Sequence, residues 1–157
     1  MTFLSPEQHD IIARCEQTIG VEFVNKSLLL AALTHSSGAV TSMLSNERLE
    51  FLGDSILGFA VCRFLFNKYP DWNEGELTKV KSAVVSGQTC GSWARELELE
   101  KVIIVGKGVA QSGELPQSML ADAFEAIVAA IFLDRGLEPA VEFLNPLIDA
   151  QVDLVQQ

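Results

Sequence analysis

Basic residues are scarce in this chain. Its 157 residues hold 11 Lys and Arg against 21 Asp and Glu, a formal charge of −10, with an isoelectric point near 4.5. Taken alone, that balance argues against a nucleic-acid partner, since phosphate binding calls for a basic face. Cysteine is scarce too. Cys15, Cys62 and Cys90 form no close pair and leave one over, which excludes a disulfide framework and a C-x-x-C zinc site. All three read as buried apolar residues. The longest uncharged apolar runs, such as 126–133, are too short to cross a bilayer. Residues 1–10 lack the basic and apolar regions of a signal peptide. The expectation is a cytoplasmic protein with no membrane association. Internal repeats and low-complexity tracts are absent. Hydrophobic residues at 48% and charged residues at 20% exclude disorder. The length suits one domain, 1–157.

The periodicity present is almost all helical. Ser5, Pro6 and Glu7 start a helix, which Gly20 stops. Asn25 caps a second, 27–34. A loop over 38–45 precedes a long helix from Asn46 to about Lys68, closed by Tyr69-Pro70. Further helices are expected within 73–87 and 88–98. Residues 102–105 are β-branched but too isolated to define a sheet, and 106–117 reads as the longest loop. A strongly apolar helix spans 118–134, closed by Gly136. Pro139 opens the last helix, and Pro146 should kink or split it. The expected fold is all-α, with seven to eight helices and the central helix 46–68 packed on 118–134.

Those two central helices are apolar around their whole circumference, as buried helices are, yet both carry acids. Glu47, Glu50 and Asp54 share one face at i, i+3 and i+7, and Asp122 and Glu125 lie one turn apart. Burying an unpaired carboxylate costs several kcal/mol. The compensations available are an exposed helix edge, pairing with a base, or a hard cation. Arg48 points off the acidic face, and the second helix has no base between Gly108 and Arg135. Oxygen ligands without His or Cys suit Mg²⁺ or Mn²⁺ rather than zinc. Gly53, placed mid-helix at a cost of about 1 kcal/mol relative to Ala, permits close approach of the second helix near Ala121 or Ala126.

The segment Asn46-Glu47-Arg48-Leu49-Glu50-Phe51-Leu52-Gly53-Asp54-Ser55-Ile56-Leu57 resembles the signature of ribonuclease III, the double-stranded-RNA endonuclease. Ala32-Leu33-Thr34-His35-Ser36, Asn73-Glu74-Gly75-Glu76 with 79–86, and Leu120-Ala121-Asp122-Ala123-Phe124-Glu125-Ala126 resemble further segments of that family. The resemblance implies catalytic roles for Asp54 and Glu125, and metal-ligand roles for Glu50, Asp122 and Glu125. It implies Mg²⁺, with Mn²⁺ able to substitute, and hydrolysis of double-stranded RNA to 5′-phosphate and 3′-hydroxyl ends with two-nucleotide 3′ overhangs. Ribosomal and messenger RNA processing are the implied settings. Glu47 and Glu74 match family acids of less direct role. Phe51 is expected at the two-fold interface of a homodimer, and His35 to cap or pack. Lys79 and Lys81 become candidate phosphate contacts, with Arg63, Lys68, Arg95, Lys101 and Lys107 as further scattered bases. The family's usual bacterial member continues into a double-stranded-RNA-binding domain. None is present here, and the expectation is a piece of a longer protein. The alternatives are a catalytically inactive dimeric scaffold and a helical metal-binding domain of unrelated function.

Overall fold

Ser5 and Pro6 start the first helix as their spacing requires, in a computed structural model that describes residues 3–157. Met1 and Thr2, the first two residues of the segment read for a signal peptide, lie outside the described residues. The Ser5 side chain accepts from the Gln8 N–H and the Gln8 side chain accepts in return from the Ser5 N–H. Helix α1, Pro6–Ile19, then ends at Gly20 with φ 73°, a left-handed cap that glycine adopts without strain. Helix α2 is Lys26–Leu33, with the Asn25 side chain accepting from Ser27 N–H. The site-bearing helices are α3, Glu47–Lys68, and α7, Gln117–Arg135. Between them run α4, Glu74–Val84, α5, Gly87–Glu96, and a single turn α6, Lys107–Ala110. Helix α8, Leu137–Val155, closes the chain. The described residues thus form eight α-helices, with 3₁₀ turns at 36–38, 42–44 and 99–101 and no strand. Residues 102–105 contribute only an isolated bridge, Thr34 to Ile104.

Helix α7 is the centre of the core. Leu120, Phe124, Ile127 and Ile131 are fully buried, and its alanines 123, 126, 129 and 130 are closed off as well. Each large side chain contributes about 1.5–3 kcal/mol by leaving water. Helices α3, α5, α2 and α8 pack around it. The small alanines let those neighbours approach closely.

Several expectations need correction. Helix α3 is not buried all round: Phe51, Phe59 and Phe66 are 80%, 47% and 71% exposed. With Ser55 and Cys62 they form one stripe at helical spacing, so Cys62 is exposed rather than buried. An apolar circumference here means two packing faces, one of them open to solvent. Asn46 does not cap α3 through its side chain. It is buried, and its Nδ2 donates to Ala32 O at 3.2 Å, tying α3 to α2. Helix α5 ends at Glu96 instead of 98, because Glu98 takes a left-handed φ of 55°. The 106–117 loop contains α6. Helix α8 opens at Leu137, two residues before Pro139, and runs unbroken through Pro146. Glu142 and Pro146 are both exposed, so water can satisfy the carbonyl that loses its partner.

Candidate active site

The acids of α3 and α7 meet where the two helices touch. A Cβ on Gly53 would lie 1.8 Å from the Glu125 carbonyl oxygen. The close approach is therefore to Glu125 itself, not to Ala121 or Ala126. Glycine at 53 lets the α3 backbone rest directly on the residue that carries one of the acids. Gly53→Ala should force the helices apart at a cost of about 1–3 kcal/mol, typical of overpacking. It should weaken any function that needs the acids together. Thermal unfolding of the variant checks this, and a wild-type melting temperature would refute the tight contact.

Glu50, Asp122 and Glu125 are half-buried and Asp54 is exposed. The carboxyls associate in two pairs across the helix contact, Glu50 with Asp122 and Asp54 with Glu125. Burial raises Glu50, with further contributions from Asp122, Asp54 and Glu47. Burial also raises Asp122, while the hydrogen bond from Glu50 and the charge of His35 oppose the shift. Glu125 is pushed up to about 7, first by burial, then by the charges of Asp54, Glu50 and Asp122. No salt bridge to a base engages any of the four among the described residues. Glu47 and Glu50 lie in the first turn of α3, where the helix dipole favours negative charge.

Among the described residues no three His, Cys, Asp and Glu side chains converge as a preformed metal centre. The acids meet as pairs, the arrangement expected where like charges repel. The donor set fits a hard divalent cation, being all oxygen.

Cys90 went unrecognised in the sequence as part of this site. It is fully buried on α5 beneath Glu125. Burial first, then the neighbouring Glu125, Asp54 and Asp122, hold its thiol protonated and able to donate to Glu125. A lone cysteine at an apolar position carries no sequence signal for that role. Helix α5 is fixed against α7 by Gln117, whose Oε1 accepts from Arg95 Nε at 3.0 Å and whose Nε2 donates to Gln88 O at 3.2 Å.

The remaining candidates lie outside the cluster. Glu74 accepts from Thr78 Oγ1 at 2.7 Å, and Glu76 closes the capping box of α4 with Asn73. His35 caps the 36–38 turn, its Nδ1 accepting from Ser37 N–H at 3.1 Å. Phe51 borders a groove of about 710 Å³ lined in part by Leu28, Met43, Leu49, Leu52 and Leu133. Of the scattered bases, Arg63 pairs with Glu138, Lys68 with Asp149 and Lys101 with Glu98 at 3.0, 2.6 and 2.7 Å. Arg95 lies 3.9 Å from Glu114. Only Lys79, Lys81 and Lys107 of the seven stand without an acidic partner among the described residues. No helix among those residues is long and apolar enough to cross a membrane.

Comparison with known proteins agrees with this geometry. The ribonuclease-III-like family pattern matches residues 25–151. The chain is 48% identical over 143 residues to a Ribonuclease 3 of Rhodopirellula baltica, covering 91% of this chain and 54% of that protein. It is 44% identical over 147 residues to a Ribonuclease 3 of Symbiobacterium thermophilum, covering 92% of this chain and 63% of that protein. It thus spans between half and two thirds of these relatives' length. Among solved structures, a nuclease domain of ribonuclease III from Campylobacter jejuni, described as flexible in the region involved in dimer formation, superposes with a TM-score of 0.82. The match is at 38% identity and covers 89% of this chain and 97% of that one. With its two acid-bearing helices joined at Gly53 and its signature in place, this chain belongs to the ribonuclease-III-like family.

Proposed function

We propose that this chain is the catalytic unit of a divalent-metal-dependent endonuclease acting on double-stranded RNA. It would leave 5′-phosphate and 3′-hydroxyl ends with two-nucleotide 3′ overhangs, in cytoplasmic processing of ribosomal and messenger RNA. The observation that carries the reading is the pairing of Glu50 with Asp122 and Asp54 with Glu125 on the two core helices. Glu50, Asp122 and Glu125 would hold Mg²⁺ or Mn²⁺, which supplies Lewis-acid stabilisation of charge on a phosphate. Glu125, with its proton poised near neutral pH, and Asp54 beside it are suited to move a proton at the reacting oxygen. Cys90, fully buried beside Glu125, limits water on that side of the acids.

Cutting both strands at fixed spacing needs two such clusters. A two-fold homodimer supplies them, with Phe51 and its neighbouring groove as the self-complementary contact. The chain's charge of −10 and its few unpaired bases imply weak phosphate affinity. Long double-stranded RNA should be cut in the presence of Mg²⁺ and not after EDTA. The rate should fall steeply as monovalent salt rises from about 50 to 200 mM. A double-stranded-RNA-binding module joined after Gln157 should restore salt tolerance without moving the cut. Equal cutting of single-stranded RNA of the same sequence would reject duplex specificity. Intact duplex in Mg²⁺ at low salt would favour an inactive scaffold.

A further inference from the structure

Helix α3 keeps one long face open. Phe51, Ser55, Phe59, Cys62 and Phe66 are all exposed, and at 3.6 residues per turn they fall within about 80° of arc. Gly58 lies at the edge of the same face. No atom among the described residues comes within 4 Å of where its Cβ would stand. Gly53 is explained by the Glu125 backbone. Gly58 has no such neighbour, although glycine is a poor helix former in mid-helix. Asp54 borders the open face on one flank. Arg63 borders it on the other, 5.5 Å from the centre of the Phe59 ring.

Area decides how much of this face a second copy must cover. Phe51 alone exposes about 120–200 Å². A stable interface takes about 800 Å² from each partner. Phe51, Phe59 and Phe66 together expose about 300–500 Å², and Met43 and Leu133 on the groove beside Phe51 add to it. The order of residues along the face is also self-complementary. When the helix is turned end for end about a point between Gly58 and Phe59, Phe51 falls on Phe66, Ser55 on Cys62 and Gly58 on Phe59.

We propose that the homodimer forms by antiparallel crossing of α3 on the partner's α3, centred at Gly58 and Phe59. Phe51 then meets the partner's Phe66 at the border of the groove, Ser55 meets the partner's Cys62, and the missing Cβ of Gly58 lets the helices close at the centre. The inference rests on the homodimer reading above and supplies its register. A two-fold axis that makes the helices antiparallel leaves each flank of α3 on its own side. Both Asp54 residues therefore open toward one side of the dimer, about 16 Å apart at 1.5 Å per residue and 8–10 Å between axes. Parallel crossing would send them to opposite sides, where a single duplex could not reach both.

A cross-link tests the register. Facing Cα atoms of helices about 8–10 Å apart come within disulfide reach, whereas two copies of position 55, or of position 62, stand about 10 Å apart along the axis, beyond it. Cys15 and Cys90 are buried. On oxidation with diamide, Ser55→Cys that retains Cys62 should run as a covalent dimer on a non-reducing gel. Wild type, and Ser55→Cys combined with Cys62→Ser, should run as monomers. Gly58→Leu should be monomeric by light scattering at micromolar concentration with its helical circular dichroism intact. Cross-linking in either protein with a single thiol on this face would mean parallel crossing and overturn the proposal. Dimeric wild type whose two-thiol variant forms no cross-link, or whose Gly58→Leu variant stays dimeric, would overturn the register and leave the homodimer reading intact. Monomeric wild type would overturn both.

Discussion

Glu125→Gln should abolish RNA cleavage and leave the metal-free protein at least as stable as wild type. The acid at 125 is raised to about 7, with burial as the first cause and Asp54, Glu50 and Asp122 adding to it. An acid whose folded pKa exceeds its unfolded one stabilises the fold below the unfolded value near 4.5 and loses that contribution as pH rises through about 7. A shift of this size corresponds to about 3 kcal/mol at full burial. Partial exposure and screening reduce it to about 1–2 kcal/mol. Glutamine does not titrate, so the variant's melting temperature should rise relative to wild type between pH 4.5 and 7.5, by a few degrees for a chain of this size. Cleavage should fall by about 10³-fold or more, since proton transfer and cation binding are lost together. Mg²⁺ should raise the melting temperature of wild type and do little for the variant. Melts over that pH range in EDTA, with and without added Mg²⁺, make the measurement. A metal-free variant melting well below wild type at neutral pH would mean that Glu125 is a structural partner instead.

Phe51→Asp should turn a dimer into monomers. A phenylalanine 80% exposed beside an apolar groove is one of the features that mark an association surface. Met43, 65% exposed, lines the same groove. Burying one Phe is worth about 1.5–3 kcal/mol, and a two-fold contact buries it twice. Removing both should therefore weaken association by about 3–6 kcal/mol, or roughly 10²- to 10⁴-fold. The substituted side chain lies in solvent on the monomer, so the fold should survive. Light scattering at micromolar concentration would find the variant at half the wild-type mass, and staggered double-strand cuts should be lost. Wild type found monomeric under the same conditions would sink the dimer.

Much of this was legible in the residues themselves. Ser5-Pro6 and Gly20 bounded α1, and the i, i+3 spacing of acids in two apolar helices pointed to their meeting. Other features were not legible, for definite reasons. An apolar helix circumference does not say which of its faces meets another helix, so Phe59 and Cys62 read as core and proved exposed. Gly53 announced a close approach but not its partner, because the register of α3 on α7 is set by packing along both helices. The pairing of Arg63, Lys68 and Arg95 with acids joins positions remote in the chain, which no local charge count reveals. Cys90 is an ordinary apolar position until α5 is laid under Glu125.

The seat of Gly53 on the Glu125 backbone also governs when the site comes into being. The two residues are far apart along the chain, with α4, α5 and α6 between them, so closing that contact is a non-local event that follows local helix formation. During synthesis α3 emerges first and carries Glu50 and Asp54 as ordinary solvated acids of low affinity for any cation. They gain partners only when α7 is complete and buried, and burial then raises Glu50. Core formation and assembly of the acidic cluster are then one cooperative step, and no partly folded species of this chain brings the four acids together before the fold is finished.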